Sequence, residues 1–138
     1  INNYAKAKIL PPVKNKKYTK QQIIMLILIY HLKQIMSLED ISLLFSPVVE
    51  DLSSGNIPAV FVDNLYEKFL TVKMEQYNEF SSSIIESLKK IEALNMESSS
   101  SRNDLSDVIL TVLMLINSSI IQKRLAEKII DNFFKTKE

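Results

Sequence analysis

At 138 residues and 46% apolar content, the chain has room for one domain, or for a small domain with a helical appendage, and is too apolar to be disordered. It has no cysteine, which excludes disulfide frameworks and thiolate metal sites and permits a reducing cytoplasm. The net charge of +1 hides a division: residues 1–38 carry seven lysines and no acid, whereas residues 39–138 sum to −6.

A basic head on an acidic body implies a polyanionic partner at one end only. The plainer alternative is a solvated lysine face. Gly55 is the only glycine and the prolines are Pro11, Pro12, Pro47 and Pro58. So few turn formers imply few, long elements, hence helices. The longest apolar run, Val108 to Ile116, is interrupted by Thr111 and falls short of the ~20 residues that cross hydrocarbon. No membrane span is therefore expected, and no signal peptide is visible. The chain opens on Ile1 within a helical pattern, which reads as a fragment of a longer protein.

In chain order, residues 1–7 read as the end of a helix, with Ile1 and Tyr4 on one face. Ile9-Leu10-Pro11-Pro12 stops it, because proline disfavours helical geometry in the residue before it and removes a backbone donor. Residues 13–17 form a short basic excursion. Thr19, with Gln22 three residues on, predicts a capping box and a helix from Lys20 to about Met36. The run Ile23 to Ile29 covers most of that helix's circumference and predicts burial on several sides.

Ser37 with Asp40 predicts a second helix start, and Pro47 its end. Residues 48–57 then read as a connector containing the turn Ser53-Ser54-Gly55-Asn56. From Pro58 one helical pattern runs to about Met96, with Phe61, Leu65, Phe69 and Val72 on one side and charged residues opposite. Ser98 to Ser101 breaks it. A last helix spans about Asn103 to Phe134, with Lys135 and Lys137 at its negative end. Its first half, Leu105 to Ile116, is apolar nearly all round and is expected to be the most buried helical segment. Two such helices joined by a serine turn predict a long antiparallel hairpin with more apolar surface than a small head can cover, hence a homodimer.

The strings Ile1-Asn2-Asn3-Tyr4-Ala5-Lys6-Ala7-Lys8-Ile9-Leu10-Pro11-Pro12 and Lys16-Lys17-Tyr18-Thr19, followed by Ser37-Leu38-Glu39-Asp40-Ile41, resemble the MerR type of winged helix. In that family a recognition helix meets a leucine-proline stop. A wing closed by a tyrosine follows, then a helix, then a serine-leucine-acid helix start. The chain is closer still to a bacterial family catalogued as domain of unknown function 1836, through these strings and Leu32-Lys33-Gln34. The motifs cover roughly residues 1–46. Three departures stand out. Lys8-Ile9 replaces the glycine usual before the stop, the wing has only residues 13–17, and the first helix of the helix-turn-helix is expected upstream of Ile1.

The resemblance implies a winged-helix head over residues 1–46, a linker over 47–58 and a helical dimerisation or effector region over 59–138. In this all-α reading Asn2, Asn3 and Lys6 face bases, since asparagine bonds adenine bidentately and lysine reaches guanine or phosphate. Tyr4 is assigned to the core or to a phosphate contact. Lys14, Lys16 and Lys17 form a wing that neutralises backbone phosphates, and Tyr18 anchors it against the long helix. The function that follows is a cytoplasmic, homodimeric transcription regulator bound to double-stranded DNA, with no metal or cofactor and no membrane partner. The rival is a protein–protein adaptor with a basic docking head. An enzyme is the weakest reading, because His31 is the lone histidine and one glycine cannot build a phosphate-cradling loop.

Overall fold

A computed structural model describes residues 2–96 and 103–135. Five helices follow in order: α1 (Asn2–Lys6), α2 (Lys20–Leu32), α3 (Leu38–Ser54), α4 (Val60–Met96) and α5 (Asn103–Phe134). The described residues hold no β-strand, only an isolated antiparallel bridge between Lys14 and Lys17. The protein is all-helical. The four-serine break expected at Ser98–Ser101 lies outside the described residues, as does Lys137.

Caps explain where the helices begin. The Thr19 hydroxyl accepts from the Gln22 amide at 3.2 Å, and the Gln22 side-chain oxygen accepts from the Thr19 amide at 2.8 Å. This reciprocal box satisfies two donors that the first turn of α2 leaves unpaired. Ser37 caps α3 singly: its hydroxyl accepts from the Asp40 amide at 3.1 Å and donates to the Asp40 carboxylate at 3.0 Å. Pro58 opens α4 through a tight turn in which its carbonyl accepts from the Phe61 amide at 2.9 Å.

Two helix ends depart from expectation. α2 stops at Leu32 rather than Met36, and residues 33–36 form turns whose amides bond back three or four residues. α3 does not end at Pro47 but runs to Ser54. The proline removes one helical hydrogen bond, yet Ile41, Phe45 and Val49 form one buried stripe that spans it. Packing on both sides of Pro47 outweighs the missing bond. The helix ends instead at Gly55, whose φ of 76° suits a residue without Cβ.

The chain divides into two compact units, residues 1–68 with 123–138, and residues 69–122. The first has a core in which Ile9, Leu10, Met25, Ile29, Ile41 and Val62 are essentially sealed from solvent. α2 is not buried on several sides, however. Ile24, Met25, Leu28 and Ile29 face inward, while Ile23, Ile27 and Tyr30 form an exposed strip.

In the second unit Ile91 alone is buried among the described residues. Leu105 to Ile116, expected to be the most buried segment, is largely open, with Leu105 66% and Leu113 59% exposed. Within this unit only α4 faces it, and one neighbour cannot cover a helix that is apolar all round. The expectation that no segment is apolar enough to cross a membrane is also corrected. Leu105–Phe134 meets that criterion by length and composition, with a mean hydropathy of 1.7 in its most apolar window. Thr111 interrupts the apolar run without lowering its average enough.

Candidate nucleic-acid interface

The basic head is a short helix, a stop, a turn and the start of α2. In α1, Asn3 and Lys6 are exposed three residues apart, and so share a side of the helix. Asn2 is its first residue. Tyr4 is half-buried, its hydroxyl accepts from Lys33 Nζ at 2.8 Å, and that ammonium lies 5.2 Å from the ring centroid. The side chain of Tyr4 is thus engaged with the residue that closes α2.

The end of α1 is held from two directions. The Ile9 amide bonds the Tyr4 carbonyl at 3.0 Å and the Lys8 amide bonds the Ala5 carbonyl at 3.1 Å, a Schellman arrangement. Lys8 occupies its left-handed position at φ 58°, where glycine is usual. The Ser42 hydroxyl of α3 donates to the Ala7 carbonyl at 3.0 Å. Ile9 and Leu10 then sink into the core and fix the direction in which the chain leaves.

The next segment cannot hold itself in place, because Pro11 and Pro12 donate no backbone hydrogen bond. Gln22 supplies the anchor. Its side-chain amide donates to the Pro11 carbonyl at 3.1 Å and the Pro12 carbonyl at 3.0 Å. Its oxygen serves the α2 cap, so a glutamine only 5% exposed has its polar groups paired. Tyr18, assigned to anchor the same segment, is 40% exposed. Gln22 was legible as a capping partner but not as an anchor. Reaching a carbonyl ten residues back depends on the chain reversal between them.

Lys14-Asn15-Lys16-Lys17 is a two-residue reversal closed by the Lys17 amide on the Lys14 carbonyl at 3.0 Å. Asn15 and Lys16 both have positive φ, 52° and 57°, as the tightest hairpin turns require. Lys14, Lys16 and Lys17 are all exposed.

Two of the seven lysines have internal work. Lys33 meets Tyr4, and Lys20 pairs with Asp63 of α4 at 2.7 Å. Asp63 also accepts from Gln21 Nε2 at 3.0 Å. The hydrogen bond to Asp63 raises the Lys20 pKa, and the bonds from Lys20 and Gln21 lower that of Asp63. Lys6, Lys8, Lys14, Lys16 and Lys17 form no ion pair among the described residues.

Elsewhere, the second unit has an open groove of about 420 Å³ lined by Ile91, Leu94, Leu110, Leu113 and Met114, with Lys90 and Asn117 at its edge. The described residues contain no group of three or more His, Asp or Glu placed to hold a metal ion.

A family model described as Domain of unknown function (DUF1836) matches residues 1–69, which takes in the basic head, α2, α3 and the start of α4. No curated protein matches the chain, and no solved structure does.

Proposed function

We propose that the chain, which belongs to the DUF1836 family through residues 1–69, is a DNA-binding transcription regulator with a MerR-like winged-helix head. One observation carries the proposal. Five exposed lysines without ion pairs lie on one short helix, its stop and a tight turn, in a stretch of 38 residues without an acid. Such a surface attracts phosphate from any duplex and orients the protein on it. In this reading α1 is the end of the recognition helix, with Asn2, Asn3 and Lys6 toward base edges. Lys14, Lys16 and Lys17 form the wing on the flanking backbone. Tyr4 and Tyr18 border the contact.

The long helices act as an antiparallel dimerisation hairpin, with a second copy covering the open face of α5. A second copy accounts for that face better than a membrane does. Asp107 stands near one end of Leu105–Phe134, where a carboxylate is unfavourable in hydrocarbon. Asn117, Ser118 and Ser119 add further polar groups at its middle.

The adaptor reading draws on the exposed strip Ile23, Ile27 and Tyr30, which suits a protein partner beside a basic surface. Titration of labelled duplex DNA at several salt concentrations separates the two. A regulator binds DNA with a steep salt dependence that flattens when Lys14, Lys16 and Lys17 are all changed to alanine. An unchanged slope in that triple variant removes the wing from the interface and favours the adaptor.

A further inference from the structure

Two helix ends of the first unit close on a residue in the left-handed region, and one of them uses a residue that is costly there. α3 ends on Gly55 at φ 76°, the inexpensive solution. α1 ends on Lys8 at φ 58°, in the same left-handed region but with a Cβ that crowds the following carbonyl. The turn itself is needed, since it carries the Schellman bonds of Lys8 and Ile9 and delivers Ile9 and Leu10 to the core. The lysine is not. Its side chain is exposed and makes no ion pair or side-chain hydrogen bond among the described residues, so nothing inside the molecule offsets the backbone cost.

Backbone strain retained without an internal return clusters at functional positions. Lys8 also lies between the two parts of the surface already assigned to DNA, two residues after Lys6 and six before Lys14. Resting on the DNA-binding reading, we propose that Lys8 is a phosphate-binding residue of the same interface, a cation held at a backbone position that stability alone would give to glycine. It extends the charged surface across the junction of recognition helix and wing. It should act on affinity without discriminating sequence, because phosphate contacts contain no base information.

Lys8→Gly makes the proposal sharp, because fold and function respond in opposite directions. The thermal midpoint of the full chain should stay level or rise, as the left-handed site loses its Cβ. Binding to a mixed-sequence duplex should weaken, and the slope of log K against log salt should fall in magnitude by about 0.9, the release expected for one phosphate contact. The affinity ratio of wild type to variant then narrows about 3.5-fold between 50 and 200 mM salt. Lys8→Arg should keep the slope. Lys8→Gln, which keeps the Cβ and loses the charge, should lower the slope without raising the midpoint. A Lys8→Gly variant with the wild-type slope overturns the assignment of Lys8 while leaving DNA binding intact. A lower midpoint in that variant overturns the strain premise. A wild type with no salt-dependent DNA binding removes the reading on which the inference rests.

Discussion

Gln22 and Pro12 tie the proline stop to the start of α2. The amide of a core glutamine donates at 3.0 Å to a carbonyl whose own residue has no N–H, and a second bond reaches Pro11 at 3.1 Å. The same side chain accepts from Thr19 at 2.8 Å, so one residue fixes both ends of the loop that carries the wing lysines. Pro11 is half-buried and Pro12 exposed, so water can replace part of what the amide donates, and each of the three hydrogen bonds of Gln22 has a net worth of about 0.5–1.5 kcal/mol. Gln22→Ala is therefore expected to destabilise by about 2–4 kcal/mol in urea unfolding, near the top of the range for single substitutions. Gln22→Glu has no donor when ionised and should recover stability as acid protonates it. A loss below about 0.5 kcal/mol for Gln22→Ala would mean that the loop does not depend on this anchor.

The ion pair of Lys20 with Asp63 ties the start of α2 to the start of α4, and it predicts a pH dependence. The Asp63 pKa is lowered in the folded chain by the hydrogen bonds from Lys20 and Gln21. Its stabilising effect is thus present above the unfolded carboxylate value, near 3.9, and is lost as pH falls through the lower folded value. The Lys20 pKa is raised, so its share is present below about 10.4 and is lost as pH rises through the higher folded value. Asp63→Asn should lie below wild type across the neutral range and converge with it in acid. Parallel stability curves down to the acid limb would show that this pair contributes nothing.

Leu113 tests the proposed second copy. At 59% exposure in the single chain its truncation to alanine would change stability by less than about 0.5 kcal/mol. If a partner covers α5, the same truncation should cost about 2–5 kcal/mol, as in a closed core, and the melting midpoint should rise with protein concentration. Light scattering should give a dimer at micromolar concentration, and Leu113→Asp should shift it toward monomer. A concentration-independent monomer, or a chain recovered on lipid vesicles, would refute the covering copy.

Local chemistry was readable where it acts over three or four residues. Thr19 with Gln22 and Ser37 with Asp40 mark the starts of α2 and α3, and the pattern from Asn103 to Phe134 coincides with α5. What failed depends on neighbours. Pro47 looked like a stop, but Phe45 and Val49 are buried either side of it and the helix continues. Leu105 to Ile116 looked like a core because its composition leaves no polar face, and composition does not say whether the covering element belongs to the same chain. In the head, the lysines were legible as a charged stretch. The left-handed geometry of Lys8 was not, because lysine at that position contradicts its own local preference.

On the proposed DNA-binding reading, Asn3 is the residue that separates recognition from attachment. It is exposed on α1 beside Lys6, and its amide has the donor and acceptor spacing that adenine offers in the major groove. Wing lysines and Asn3 should then differ in kind. Changing Lys14, Lys16 or Lys17 singly to alanine should lower the salt slope by about 0.9 on every duplex alike. Asn3→Ala should keep the slope and cost about 1–3 kcal/mol on a duplex selected by the wild type from a random pool, with little change on unselected DNA. Lys6→Ala should lie with the wing if it reaches phosphate, and with Asn3 if it reaches guanine. Anisotropy titrations of these variants on selected and unselected duplexes, at several salt concentrations, read both quantities from the same curves. Equal losses for Asn3→Ala on the two duplexes would place α1 on the backbone rather than in the groove, and the head would then bind DNA without reading it.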